Sequence, residues 1–462
     1  MNDSLGKAPA GDQDGGPVRM SRQELRSSLW LASLYAIRML GLFLVLPVFA
    51  LHARQLPGGD DPAWVGFAFG AYGLTQALLQ IPYGAASDRF GRKQVITVGL
   101  LVMAAGSVLA AMADTVAMLA VGRALQGAGA VSAAISALVA DSTRDENRSK
   151  AMALIGVMIA MSYAVSLVVG PVLYQRVGLS GMFLFTGALA LLAIGVLWRL
   201  VPSPVQSPVR QAAPPLREVL GPDLWRLDAG IFLLHLTQMA LFVVLPARLL
   251  AAGMAVGDHW QMYLPAGALG FMLMLGPMRA AERGNRMKPV FLGGVLVLAL
   301  SQLGLAFVPD QVWPLAGLLL LFFTGFNLME AMLPSLVSRL VPPNGRGLAL
   351  GVYSTSQSLG VFAGGAFGGL VLKYAGATAV PLASALLLVL AAGLDFLGPP
   401  VGAILGYYAA WLALALPFLR WRPRNLFLLA AGVAVAGPFI RLGLPEVLNL
   451  VGMSAYPSLP DG

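Results

Sequence analysis

The sequence predicts an all-α membrane protein of two six-helix halves, followed by one or two extra C-terminal hydrophobic segments. Three observations predict it. Charge is scarce: of 462 residues 58% are hydrophobic and 11% charged, with a mean hydropathy of +0.78. Water-soluble domains carry about 25% charged residues, so this chain has no polar coat for water and belongs in a bilayer. Its apolar residues are also gathered into runs of about twenty, the length that lets a helix cross a hydrocarbon core. Finally, the one long polar stretch inside the hydrophobic body, 201–224, falls at the midpoint and carries Pro202, Pro204, Pro208, Pro214, Pro215 and Pro222. Prolines favour extended chain over helix, so this stretch reads as a linker between halves.

In chain order, residues 1–27 are polar and Gly-rich, lack the apolar core of a signal peptide, and read as a short disordered cytoplasmic tail. The N-terminal half (28–201) holds spans near 28–51, 64–86, 94–115, 116–140, 151–175 and 180–200. After the linker (202–224), the C-terminal half (225–397) holds spans near 226–251, 260–281, 289–308, 313–338, 348–372 and 379–397. With the N-terminus inside, most Lys and Arg fall at inner ends, while the outer ends hold only Arg54, Arg176, Arg248 and Lys373. This is the positive-inside pattern of a plasma-membrane protein. The net charge of +9 is thereby spent on orientation and anionic headgroups, not on nucleic acid.

The tail, 398–462, departs from this plan. Its apolar runs 401–419 and 425–440 flank the basic cluster Arg420, Arg422 and Arg424, which a thirteenth span would carry to the outside against the charge rule. With no cysteine and three scattered histidines (His52, His235, His259), the chain offers no disulfide framework, metal cluster or redox site. No cofactor is expected. No phosphate-binding Gly-x-x-x-x-Gly-Lys-Ser/Thr loop occurs, so any energy source is an ion gradient.

Two local patterns stand out. A polar hairpin of ten residues, 84–93, contains Gly84, Asp88, Arg89, Gly91, Arg92 and Lys93, and a looser echo at 276–288 keeps an acid–Arg pair, Glu282 and Arg283. Small residues recur every fourth position in two spans: Ser162, Ser166 and Gly170 (followed by Pro171), and Gly360, Gly364 and Gly368. That spacing puts each set on one helix face, which permits close backbone approach to a neighbour.

Ionisable groups inside a bilayer are costly and so mark candidate sites. Arg38 lies halfway along the first span. Arg123 lies in the fourth, with Gln126 one turn on and on the same face. His235 and Gln238 lie in the seventh, and Glu330 in the tenth, one turn after Asn327. A carboxyl in an apolar cavity has its charged form disfavoured, so Glu330 is suited to exchange protons. Asp141, Arg123 and His235 are further proton-coupling candidates; Arg38, Gln126, Gln238, Asn327 and Glu330 are candidates for lining a substrate cavity. An ion pair between Arg38 and Glu330, and a merely structural His235, remain open alternatives.

The run Gly84-x-x-x-Asp88-Arg89-x-Gly91-Arg92-Lys93 resembles the signature between the second and third helices of the major facilitator superfamily. Arg123-x-x-Gln126-Gly127 resembles the fourth-helix signature of its proton-driven members, and Gly170-Pro171 partly resembles the antiporter signature of drug exporters. Residues 33–47, 142–153, 326–336 and 351–357 are similar to the YajR-type proton-driven drug-efflux carriers, over about residues 28–395. The resemblance implies the major facilitator fold, with the first, fourth, seventh and tenth spans lining the cavity. It also implies a cytoplasmic gate of Gly84, Asp88, Arg89, Gly91, Arg92 and Asp141 facing the start of the eleventh span.

The function expected is therefore proton-coupled export of small amphiphilic compounds across a bacterial inner membrane by a monomer, with a small-molecule substrate, protons and the lipid bilayer as its partners. A proton symporter importing an organic solute is the alternative. A membrane-embedded enzyme or sensor using the tail is a second one, weakened because that tail has no histidine.

Overall fold

A computed structural model describes residues 20–129, 131–201, 221–283, 286–341 and 345–397, and every regular element among them is helical. The first half comprises α1 (Arg22–Phe43), a short α2 (Phe49–Ala53), α3 (Pro62–Phe90), α4 (Arg92–Ala111), α5 (Val116–Ala128), α6 (Ser132–Asp141) and α7 (Asp145–Arg199). The second comprises α8 (Pro222–Ala251), a 3-10 turn (Val256–Asp258), α9 (Trp260–Arg283), α10 (Met287–Phe307), α11 (Val312–Leu340), α12 (Arg346–Ala375) and α13 (Ala379–Leu397). Among the described residues, eight helical stretches are long and apolar enough to cross a membrane. Of these, α7 takes the place of two expected spans, while α1, α3 and α13 fill the remaining places.

Where the elements differ from the sequence reading, local chemistry explains the difference. The polar hairpin at 84–93 is not a ten-residue loop: α3 runs to Phe90, α4 starts at Arg92, and Gly91 alone makes the turn at φ +95°. Only glycine adopts that conformation without strain, so the two helices extend past the apolar limits of their spans. The tail reading fails for its last residues, because α1 begins at Arg22. A capping box stops it there: Ser21 accepts from the Glu24 amide, and Glu24 accepts from the Ser21 amide. Span 1 is broken after Phe43 by a turn containing Pro47, whose missing N–H and fixed φ oppose a continuous helix.

The fourth span is two helices, α5 and α6. At the break Gly129 lies so close to the Gly99 carbonyl that a Cβ would sit 2.4 Å from it. The fifth and sixth spans are two helices, as the sequence reading has them: the run α7 is interrupted at Gly178, whose φ of +64° is not helical. Most of the Pro-rich linker (202–220) and the tail beyond Leu397 lie outside the described residues; α8 starts at Pro222, a residue suited to the first helical position.

Within the first half α1 packs on α7, α3 on α5, and α4 on both α5 and α7; within the second α8 packs on α12, α9 on α11, and α10 on α11 and α13. Between lipid-solvated helices such packing rests on close fit more than on the hydrophobic effect. The two small-residue rows pack inside their own halves. Gly170 abuts the Leu44 carbonyl and Ser162 donates to the Ala36 carbonyl (3.0 Å), whereas Gly360 and Gly364 abut the carbonyls of Phe232 and Leu236 on α8.

A different row joins the halves. Gly66, Gly70 and Gly73 of α3 lie against Gly365, Phe362 and Ser358 of α12, so close that a Cβ on any of these three glycines would come within 2.2–2.5 Å of a carbonyl oxygen. At the same end Asp61 and Lys373 form an ion pair of 2.6 Å across the halves. Toward the Gly91 end the halves part: a Cβ on Gly84 would meet only Ala133, and one on Gly351 nothing within 4 Å.

Candidate functional site

Two polar groups occupy the middle of the bundle, one in each half. In the first half Arg38 on α1 and Arg123 on α5 are both fully buried, 1% and 0% exposed. Arg38 Nη2 donates to the Tyr72 hydroxyl of α3 at 2.9 Å. The Arg123 guanidinium lies over the rings of Tyr72 (5.0 Å) and Phe49 (5.8 Å), so Tyr72 serves one arginine through its oxygen and the other through its π face. Arg123 Nη1 donates to Gln126 Oε1 (3.0 Å), and Gln126 Nε2 donates to Ser107 Oγ on α4 (2.8 Å). The shared face expected for Arg123 and Gln126 is thus a hydrogen bond.

In the second half His235 of α8, Glu330 of α11 and Gln357 of α12 meet. Gln357 Nε2 donates to Glu330 Oε1 (3.2 Å) and to His235 Nε2 (2.9 Å), while His235 Nδ1 contacts the Ile231 carbonyl (3.2 Å). These partners fit a neutral imidazole with its hydrogen on Nδ1. Glu330 Oε2 stands 3.9 Å from His235 Nε2 and has no hydrogen-bond partner. The arrangement is sensitive to a proton: a second hydrogen on His235 would face the Gln357 amide donor and draw Glu330 inward instead. The Glu330 side chain is 36% exposed.

Aromatic side chains beside the second group cross from one half to the other. Gln238 of α8 donates to the hydroxyl of Tyr163 on α7 across the halves (3.0 Å), and the Tyr163 ring contacts Phe43, Phe323 and Phe326, the last of which also meets His235. Asn327 is half-buried one turn before Glu330. Arg38 and Glu330 do not pair with each other here; Arg38 is engaged by Tyr72 and Glu330 by Gln357, so the alternative of a structural ion pair between them is not realised.

The charged cluster at the Gly91 end forms within the first half. Arg92 contacts Asp88 (2.6 Å), Ser87 (2.6 Å) and Asp141 (2.9 Å), joining α3, α4 and α6. Arg89 is exposed. Nearby, Glu24 receives Arg144 through Nε (2.9 Å), Nη2 (3.0 Å) and the backbone amide (3.0 Å), and this guanidinium holds its carboxyl well below the usual carboxylate range.

Sequence reasoning did not reach Tyr72, Tyr163, Gln357, Asp228, Tyr353 or the Asp61–Lys373 pair. For Asp228 the signal was present, an ionisable residue inside the seventh span. For the neutral side chains nothing in the pattern distinguishes a cavity partner from a packing residue.

A two-half helical bundle with ionisable groups at its centre defines a membrane carrier. The Major Facilitator Superfamily model matches residues 31–365 and 259–401, and the chain belongs to that superfamily of multi-pass transporters. It is 41% identical over 374 residues to the inner membrane transport protein YajR of Escherichia coli, covering 80% of this chain and 82% of that one. It is 28% identical over 368 residues to the multidrug resistance protein MdtH of Aeromonas hydrophila, covering 78% and 90%. The resemblance to YajR-type carriers therefore extends over most of the chain. Among solved structures, it matches a bacterial homologue of the human lysosomal transporter Spinster, inward-facing and occupied (TM-score 0.67, 15% identity, 88% and 100% covered). It also matches the human organic anion transporter MFSD10 (TM-score 0.62, 19% identity, 80% and 99% covered). At these identities the structures share the fold alone.

Proposed function

We propose that this inner-membrane secondary transporter is a proton-coupled exporter of small amphiphilic compounds, working by alternating access. The observation that carries the reading is the His235–Gln357–Glu330 group: a carboxylate, an imidazole and a bridging amide on three helices, with the carboxylate side chain partly exposed. Proton occupancy of this group changes which hydrogen bonds can form, and so couples to how α8, α11 and α12 pack. With the 84–93 turn on the cytoplasmic side, the present conformation is closed outward at Gly66–Gly365 and Asp61–Lys373 and open inward. Glu330 then faces the compartment from which an exporter takes substrate and to which it delivers protons. The Asp88–Arg92–Asp141 cluster sits where a cytoplasmic gate would close in the opposite conformation. The half-buried rings of Phe43 and Tyr163, backed by the buried Phe323 and Phe326, suit the apolar part of an amphiphilic substrate. The similarity to a multidrug resistance protein points in the same direction.

The test begins with toxic amphiphiles applied to a strain lacking the protein, with and without its return. A compound that identifies itself is then added to vesicles of known orientation carrying a trapped pH dye. Export predicts proton movement opposite to the compound; movement of both in the same direction would make the protein an importer by symport.

A further inference from the structure

We infer that Asp228 is a second proton-binding carboxyl of the C-terminal half, coupled to Glu330 through the hydroxyl of Tyr353. This rests on reading Glu330 as a proton site and adds a site to it. Asp228 lies in the second turn of α8 and is 4% exposed. Among the described residues it has no hydrogen-bond or ion-pair partner, and its Oδ1 is shut off from solvent. The nearby Arg226 reaches Asp223 instead, at 3.1 Å. A carboxylate buried without a partner is costly, whereas the neutral acid is not, so the site is one that a proton relieves.

Tyr353 on α12 is 6% exposed, and its hydroxyl likewise has no hydrogen-bond partner. Glu330 Oε2 is the third unpartnered oxygen. Helix geometry explains the grouping. Asp228 and His235 are seven residues apart on one face of α8, about 10 Å along its axis, and Tyr353 and Gln357 are four apart on one face of α12. Asp228 and Tyr353 therefore lie on the faces of α8 and α12 that carry His235 and Gln357, nearer the start of each helix, and Glu330 of α11 is bonded to Gln357.

The other charged or titratable groups on surrounding elements are accounted for. On α8 they are Asp223, Arg226, His235 and Arg248. The α11 helix adds Arg339, and α12 adds Arg346 at one end and Lys373 and Tyr374 at the other. Tyr163 of α7 contacts α8 at Gln238, and the described side chains of α13 carry no charge. His52 of α2 and Asp258 of the 3-10 turn belong to the far end of α8, where Arg54 adjoins Val244 and Ala247. A tyrosine hydroxyl has one hydrogen and donates to one carboxylate at a time. Protonating either Asp228 or Glu330 frees Tyr353 to stabilise the charge on the other, which ties the two proton sites together and gives the carrier a second proton to count.

The test needs no substrate. Infrared difference spectra of the full-length protein in lipid nanodiscs, stepped through pH, report each carboxylic acid by its C=O stretch. The expected result is one titrating band lost in Glu330→Gln and a second lost in Asp228→Asn and regained in Asp228→Glu. Tyr353→Phe should keep both bands but raise at least one midpoint by roughly one pH unit, since the hydroxyl that turns to the ionised carboxylate under this proposal is removed. An Asp228→Asn spectrum identical to wild type, with the Glu330 band still assigned, overturns the second site and leaves the Glu330 reading standing. A Glu330→Gln spectrum that loses no band overturns both. Should Asp228→Asn fail to insert, Tyr353→Phe decides, and unchanged midpoints overturn the coupling.

Discussion

Closure of the Asp61–Lys373 end depends on the absence of side chains, and adding one carbon there is a calibrated perturbation. In Gly66→Ala the new Cβ would stand 2.2 Å from the Gly365 carbonyl oxygen and 2.8 Å from Gly369 Cα. An ordinary contact needs at least 3.4 Å, so α3 and α12 must part locally by about 1 Å. Overfilling a close-packed contact costs about 1–3 kcal/mol. Since the contact exists only in the conformation closed at this end, that cost moves the equilibrium toward the opposite conformation by roughly 5- to 150-fold. Because the chain has no cysteine, spin labels can be placed at exposed Gln55 and Thr378, and at Arg89 and Arg339, without removing any thiol. Gly66→Ala should lengthen the first distance and shorten the second. Gly195→Ala, whose Cβ meets nothing within 4 Å, should change neither. Distance distributions for Gly66→Ala that match wild type would refute the claim that backbone contact between α3 and α12 sets the closed state.

The ion pair beside this contact is weaker. Its side chains are 28% and 35% exposed, so Asp61→Asn should shift the same equilibrium by no more than about fivefold. Lys373 and the Ala63 amide hold the Asp61 carboxyl below the usual carboxylate range. Its contribution to closure is therefore complete above about pH 4 and lost as pH falls through the lowered value, so the labelled distances should be constant from pH 8 to 5 and change only in stronger acid. Glu24→Gln should weaken the Arg144 contacts while leaving the helix cap partly served, lowering stability by about 1–3 kcal/mol in thermal unfolding at neutral pH. Wild type should lose the same advantage in acid, below the ordinary glutamate range. Asp88→Asn removes one carboxylate from Arg92 at the Gly91 end and should abolish transport while leaving membrane insertion intact; normal transport would remove the cluster from the mechanism.

Much of the fold was legible because membrane spans advertise themselves. Runs of apolar residues and a proline-rich midpoint specify helices and their grouping without reference to tertiary contacts. The boundaries were less legible wherever a single residue decided them. Gly91 shortens a ten-residue polar stretch to a one-residue turn, and the Ser21–Glu24 box moves a helix start into a stretch read as tail. Of the central groups, Arg38, Arg123, His235 and Glu330 were visible because charge in a bilayer is rare. Their partners were not, because Tyr72 and Gln357 are uncharged and are brought to the arginines and to Glu330 only by the packing of α3 and α12. Likewise the row Gly360, Gly364 and Gly368 was recognisable as a packing face. That the neighbouring Gly365 and Gly369 cross to the other half depends on which way α12 is turned.

The central claim is that Glu330 couples a proton gradient to the movement of substrate. The most direct measurement compares Glu330→Gln with wild type in reconstituted vesicles, using a compound identified by the strain assay. Uphill movement driven by a pH gradient is recorded beside exchange of labelled for unlabelled compound without a gradient. The account predicts that Glu330→Gln loses gradient-driven accumulation and its pH dependence but retains exchange. Uphill transport at the wild-type rate with unchanged pH dependence would contradict it and place the proton on another group.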